Sequence, residues 1–132
     1  MRKLFLVTFF IVAAFGAGLA VQTGSTTNTT DSPNMGQAPT GPNGIGRADV
    51  RVVDESGNPV KGAYAKLESR RTDGYYCESW NTTNAQGVAV LPPIHIGTLR
   101  LVVKAHGYQT QRLDVAATSL SDPVKVTLAR KK

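Results

Sequence analysis

Cysteine is almost missing from this chain: Cys77 stands alone among 132 residues. A lone cysteine closes no internal disulfide, so Cys77 is either buried as a small hydrophobe or free to pair between chains, and burial is the expectation. Histidine is nearly as scarce, with only His95 and His106. They fall on two different predicted turns. Tyr64, Tyr75, Tyr76 and Tyr108 would supply further ligands for an iron site, but exposed loop histidines are the simpler reading. Nothing local marks a base for Cys77, and a nucleophile needs a base within hydrogen-bond reach and a group that orients it. No catalytic residue, metal or cofactor is therefore expected.

Acidic residues are few as well. Nine Asp and Glu stand against 15 Lys and Arg, a net charge of +6. Residues 47–132 hold 13 of the cations and eight of the acids, a surplus of five, and Arg130, Lys131 and Lys132 supply three of it. What remains is scattered along the predicted strands. Nucleic-acid binding ordinarily needs a clustered basic face, so nucleic acid is not expected as a partner.

An apolar run approaching bilayer length occurs once, in MRKLFLVTFFIVAAFGAGLA (1–20). Arg2 and Lys3 precede the run, and Gly18 and Ala20 take the small-residue positions before a cleavage site. This is the pattern of a secretory signal peptide cut after Ala20. An uncleaved anchor is the alternative, but the polar sequence directly behind favours cleavage, leaving no stable membrane anchor. No cysteine follows the run, which argues against a bacterial lipid anchor there. Residues 21–46, rich in Thr, Asn, Gly, Ser and Pro, show no apolar period and read as a disordered linker. A secreted or periplasmic protein whose folded domain spans residues 47–132 is the expectation. Asn28 and Asn81 each head a glycosylation sequon, which matters only in a eukaryotic secretory pathway.

What the folded region does have is a period of two. In ADVRVVD (48–54), Ala48, Val50 and Val52 share a face; in AYAKLES (63–69), Ala63, Ala65 and Leu67 do. TLRLVVK (98–104) aligns Leu99, Leu101 and Val103, and PVKVTLA (123–129) aligns Val124, Val126 and Leu128. One apolar face and one polar face mark strands packed on a core from one side. YYCESW (75–80), GVAVL (87–91) and YQTQRLDV (108–115) bring the predicted strands to seven, separated by turns rich in Gly, Asn and Asp. No helical period competes. Pro92 and Pro93 stop the strand at 87–91, because each removes a ladder donor.

VVDESGNPVKGAYAKL, then TTNAQGVAVL, then IGTLRLVVKAHGYQTQRLDV resembles the carboxypeptidase regulatory-like domain. Asp54, Gly57, Pro59, Val60, Gly62 and Ala63 match its first turn motif. Thr83, Asn84 and Gly87 match its second, and Gly97, Leu99, Leu101, Val103, Ala105, Gly107 and Tyr108 its third. Leu99 stands where that family often has an aromatic, and IHI (94–96) lengthens the loop before Gly97. The resemblance implies an all-β, transthyretin-like, seven-stranded antiparallel Greek-key sandwich. It also implies an accessory or interaction module without catalytic residues. Three related families with chemistry are set aside on residues. Hydroxyisourate hydrolases end in Tyr-Arg-Gly-Ser, whereas this chain ends in LARKK. Collagen-adhesin repeats need a Lys and an Asn in their first and last strands, and the corresponding strands here lack them. Intradiol dioxygenases need a larger pocket than this length can build.

Two functions fit these residues. The first is a non-catalytic extracellular interaction or structural module binding an envelope protein or polymer. The second is a carbohydrate-binding module using exposed aromatics; a small hydrolase is a distant third. The two part at YYCESW. Alternation puts Tyr76, Glu78 and Trp80 on one face and Tyr75, Cys77 and Ser79 on the other. Large aromatics dominate sandwich cores, so Trp80 is expected inside. The alternative buries Tyr75 and Cys77. It leaves Tyr76 and Trp80 outside, about 7 Å apart, flanking a carboxylate as a candidate binding surface.

Overall fold

The alternating segments become strands almost where the period of two begins and ends. The computed structural model describes residues 36–132. The signal peptide, its cleavage after Ala20, the Asn28 sequon and residues 21–35 of the linker lie outside the described residues. In chain order the strands are β1 (Ile45–Gly46), β2 (Asp49–Asp54), β3 (Tyr64–Arg70), β4 (Tyr76–Thr82), β5 (Val88–Val90), β6 (Ile94–His95), β7 (Thr98–Lys104), β8 (Gln111–Val115) and β9 (Val124–Leu128). A 3-10 turn, Ala117–Ser121, precedes β9. β1 and β6 are two-residue strands inside stretches that carry no alternation, so pattern alone missed them.

Four strands form one sheet in the order β4-β3-β7-β8, three form another in the order β5-β2-β9, and β1 pairs with β6. Among the described residues every strand pairing is antiparallel except one: β2 and β9 run parallel, with Val52 opposite Val126. This corrects the expectation of purely antiparallel sheets. A parallel pair needs a crossover connection, and here the whole intervening chain supplies it. The inward residues of both large sheets meet in one core. Val50, Val52, Val126 and Leu128 come from the three-stranded sheet; Ala65, Leu67, Leu99, Leu101 and Val103 come from the four-stranded one. Val124 is only partly buried but packs against the same cluster. Leu91 and Leu120, both fully buried, close it from the connections.

The ordered chain starts earlier than residue 47. Gln37 exchanges backbone hydrogen bonds with Arg47 at 2.8 and 2.9 Å, Ile96 N–H donates to the Gly44 carbonyl at 2.8 Å, and Ala38 packs on the core. The end of the predicted linker is therefore a structured strap. Its composition is that of a disordered segment, but backbone pairing to β6 and to Arg47 needs no apolar side chains.

The turn motifs act by holding backbone. The Asp54 carboxylate accepts from the N–H groups of Ser56 and Asn58, both at 2.9 Å, and the Asn84 side-chain carbonyl accepts from Gln86 and Val88 at 3.0 Å. Asx geometry of this kind is the reason Asp and Asn open such turns. Buried Thr83 ties two loops together: its hydroxyl donates to the Val60 carbonyl at 2.5 Å and accepts from Ala63 N–H at 2.8 Å. Gly87, at φ 73°, lies where a Cβ would come within 2.3 Å of the Val52 carbonyl oxygen. Only glycine fits both the angle and the space.

Candidate binding face

The site is built by the hairpin of β3 and β4. Arg71 N–H donates to the Tyr75 carbonyl at 2.8 Å and Gly74 N–H to the Arg71 carbonyl at 3.1 Å. This turn sets the register: Arg70 opposite Tyr76, Glu68 opposite Glu78, Lys66 opposite Trp80. Directly opposed residues share a face of the sheet. Ala65, Leu67 and Ser69 are buried and take the inward face of β3, so Tyr76, Glu78 and Trp80 face solvent with Lys66, Glu68 and Arg70. Trp80 is 56% exposed and Tyr76 52%.

This corrects the expectation that the single tryptophan enters the core. The inward positions of β4 hold Cys77, half-buried, and Ser79, buried. Tyr75 is not buried either; it sits in the hairpin turn, 69% exposed. The expected spacing of about 7 Å belongs to Tyr76 and Glu78, which are two residues apart. Tyr76 and Trp80 are four apart, and a strand rising about 3.3 Å per residue separates them by roughly 13 Å.

Polar contacts join Tyr76 to Glu78 and tie Glu78 to β3. The Tyr76 hydroxyl donates to Glu78 Oε2 at 2.9 Å. Lys66 Nζ lies 2.8 Å from Glu68 Oε1 and 3.5 Å from Glu78 Oε2. The hydrogen bond from Lys66 holds the Glu68 carboxyl below its ordinary 4.5, against an opposing desolvation, and the same bond pushes the Lys66 ammonium up. The Tyr76 phenol is raised, first by its partial burial and then by its bond to Glu78. Exposed pairs of this kind add at most about 1 kcal/mol to stability. Their effect here is to fix the carboxylates in place.

Trp80 is also propped. Its ring centroid lies 5.8 Å from that of Tyr64, at 32° between planes, a spacing within the attractive range for aromatic pairs. On its other flank a groove of about 590 Å³ runs between Trp80 and the wall formed by Pro92, Pro93 and Ile94. A second cleft, about 300 Å³, lies beside Tyr76 and is lined by Glu68, Arg70, Thr98 and Arg100. Such a face offers ring surfaces for stacking, oriented carboxylates and guanidinium groups. Sequence reasoning named the β4 residues but missed Tyr64 and Lys66. The alternation in AYAKLES put both on the polar face; only the hairpin register shows that they adjoin Trp80.

The remaining singled-out residues lie elsewhere. His95 Nδ1 is 2.8 Å from the Asn43 carbonyl oxygen, on the strap side of the molecule. His106 is exposed in the turn after β7. Among the described residues no group of three or more His, Cys, Asp or Glu is placed to hold a metal ion. Asn81 is exposed, and its side-chain amide donates to the Val90 carbonyl at 3.0 Å. No family model matches the chain, and no curated protein sequence matches it.

Proposed function

We propose that this chain is an exported, non-catalytic interaction module of the carboxypeptidase regulatory-like type. In this reading its two sheets form a seven-stranded, transthyretin-like Greek-key sandwich, and its partner is an extracellular or envelope protein or polymer. The observation that carries the reading is Trp80. A large ring held in the open, propped by Tyr64 and ringed by oriented polar groups, is the composition of a binding hot spot awaiting cover. The turn motifs shared with the family fit the same reading, since they hold backbone and leave the sheet face free for recognition.

The exposed ring supports a second reading as well, a carbohydrate-binding module in which Trp80 stacks on a sugar. One experiment tests the face in either case. The full chain and its Trp80→Ala variant are incubated with insoluble cellulose, chitin, xylan and peptidoglycan, and with intact cell envelopes. The wild type should be retained by at least one of these surfaces, while a folded Trp80→Ala variant washes off. Equal retention of the two proteins removes this face as the binding site.

A further inference from the structure

The cross-strand rows of the outer face run Trp80, Lys66, Val102, Arg112 and, beside it, Thr82, Tyr64, Lys104. Three interstrand steps of about 4.8 Å place roughly 14 Å between the two ends of the first row. Rings stand at one end, Trp80 and Tyr64. Cations stand at the other, Lys104 and Arg112, with Val102 as an almost fully buried floor between them. Lys66, Glu68, Arg100, Val102, Lys104 and Arg112 line one groove of about 240 Å³, in which Glu68 is already held by Lys66.

The balance of charge on the outer face decides what this track can accept. The outer face carries five cations (Lys66, Arg70, Arg100, Lys104, Arg112) and three carboxylates (Glu68, Glu78, Asp114), a surplus of two. All three carboxylates already have a cation: Lys66 serves Glu68 and Glu78, and Arg100 lies 3.5 Å from Asp114. Lys104 and Arg112 have no ion pair among the described residues. The face therefore presents aromatic rings and uncompensated positive charge side by side.

We infer that this track binds an acidic polysaccharide, a uronate-bearing chain laid across the strands. The apolar faces of its sugar rings rest on Trp80 and Tyr64, and a ring carboxylate meets Lys104 and Arg112, the latter able to take it with two parallel hydrogen bonds. The inference rests on the binding-module reading and names its ligand. A neutral glycan would leave both cations unmatched, and a small free anion would make no use of the rings. Single-stranded nucleic acid also combines rings with negative charge, but it is held by grooves far more basic than a surplus of two.

Calorimetric titration of the full chain tests this at low salt, with polygalacturonate, alginate and fully methyl-esterified polygalacturonate as probes and a thymidine oligomer as the nucleic-acid control. At least one of the two acidic polymers should bind at least tenfold more tightly than the neutral ester. A Lys104→Gln/Arg112→Gln double variant, with unchanged thermal unfolding, should lose at least tenfold for that acid polymer. Trp80→Ala should abolish its binding. Equal binding of acid and ester, unaffected by the double variant but lost in Trp80→Ala, overturns the acidic ligand and leaves the aromatic face standing. Acid-polymer binding that survives Trp80→Ala overturns both. Failure of both acidic polymers, or oligonucleotide binding as tight as theirs, overturns the inference alone.

Discussion

Strands β4 and β7 are both seven residues long and lie in one sheet, on either side of β3. β7 is core: Leu99, Leu101, Val102 and Val103 are all buried. β4 carries the larger side chains, yet its aromatic residues Tyr76 and Trp80 are exposed, and small polar Ser79 is the residue it buries. Position accounts for the contrast. β7 is a central strand, hydrogen-bonded on both sides by β3 and β8, whereas β4 is an edge. At an edge the core thins, so inward positions need little volume and outward positions become the accessible surface. Apolar side chains thus do two jobs in one sheet, and strand order assigns the job.

The strongest way to break this contrast is Leu101→Ala. The side chain is fully buried, so its removal should cost about 2–5 kcal/mol, measured by urea unfolding. Arg100→Ala, its outward neighbour, should stay within about 0.5 kcal/mol. Equal losses would mean that β7 does not have one core face and one solvent face. Next in size is Thr83→Val, just beyond the end of β4. It leaves the Val60 carbonyl and the Ala63 N–H without their side-chain partner, and should cost about 1–3 kcal/mol with little change in volume.

Trp80→Ala sharpens the comparison from the other side. It gives up mainly the Tyr64 ring contact, so the loss should stay below about 1.5 kcal/mol. As the single tryptophan, Trp80 should also emit red-shifted fluorescence open to quenching by acrylamide. A blue-shifted, shielded emission, or a variant that does not fold, would put Trp80 back in the core. The smallest effect concerns the ion pair on β3. Because Glu68 is depressed in the folded state, its contribution is present above its ordinary 4.5 and fades as pH falls through the lower folded value. The gap in Tm between wild type and Glu68→Gln, small at pH 7, should therefore close on acidification. A gap that widens in acid would reverse the assigned sign.

Much of this molecule was determined by sequence alone, for a local reason. Side chains alternate across a strand with a period of two, so runs such as TLRLVVK and ADVRVVD announce both the strand and its buried face without reference to any neighbour. The turns were equally legible, since Asp54 and Asn84 satisfy backbone groups only a few residues away and Gly87 supplies a positive φ. Where the pattern had no amplitude, tertiary structure decided. YYCESW has an aromatic ring and a polar residue on each face, and its orientation came from the Arg71–Tyr75 hairpin closure and the pairing of Trp80 with Lys66. The strap at residues 36–46 is held by backbone bonds to Arg47 and to distant Ile96, which composition does not report. The parallel union of β2 with β9 joins the two ends of the folded chain, a contact no local signal encodes. The meeting of Trp80, Tyr64, Lys104 and Arg112 on one face is of the same kind: each residue was visible in the sequence, but only strand order made them neighbours.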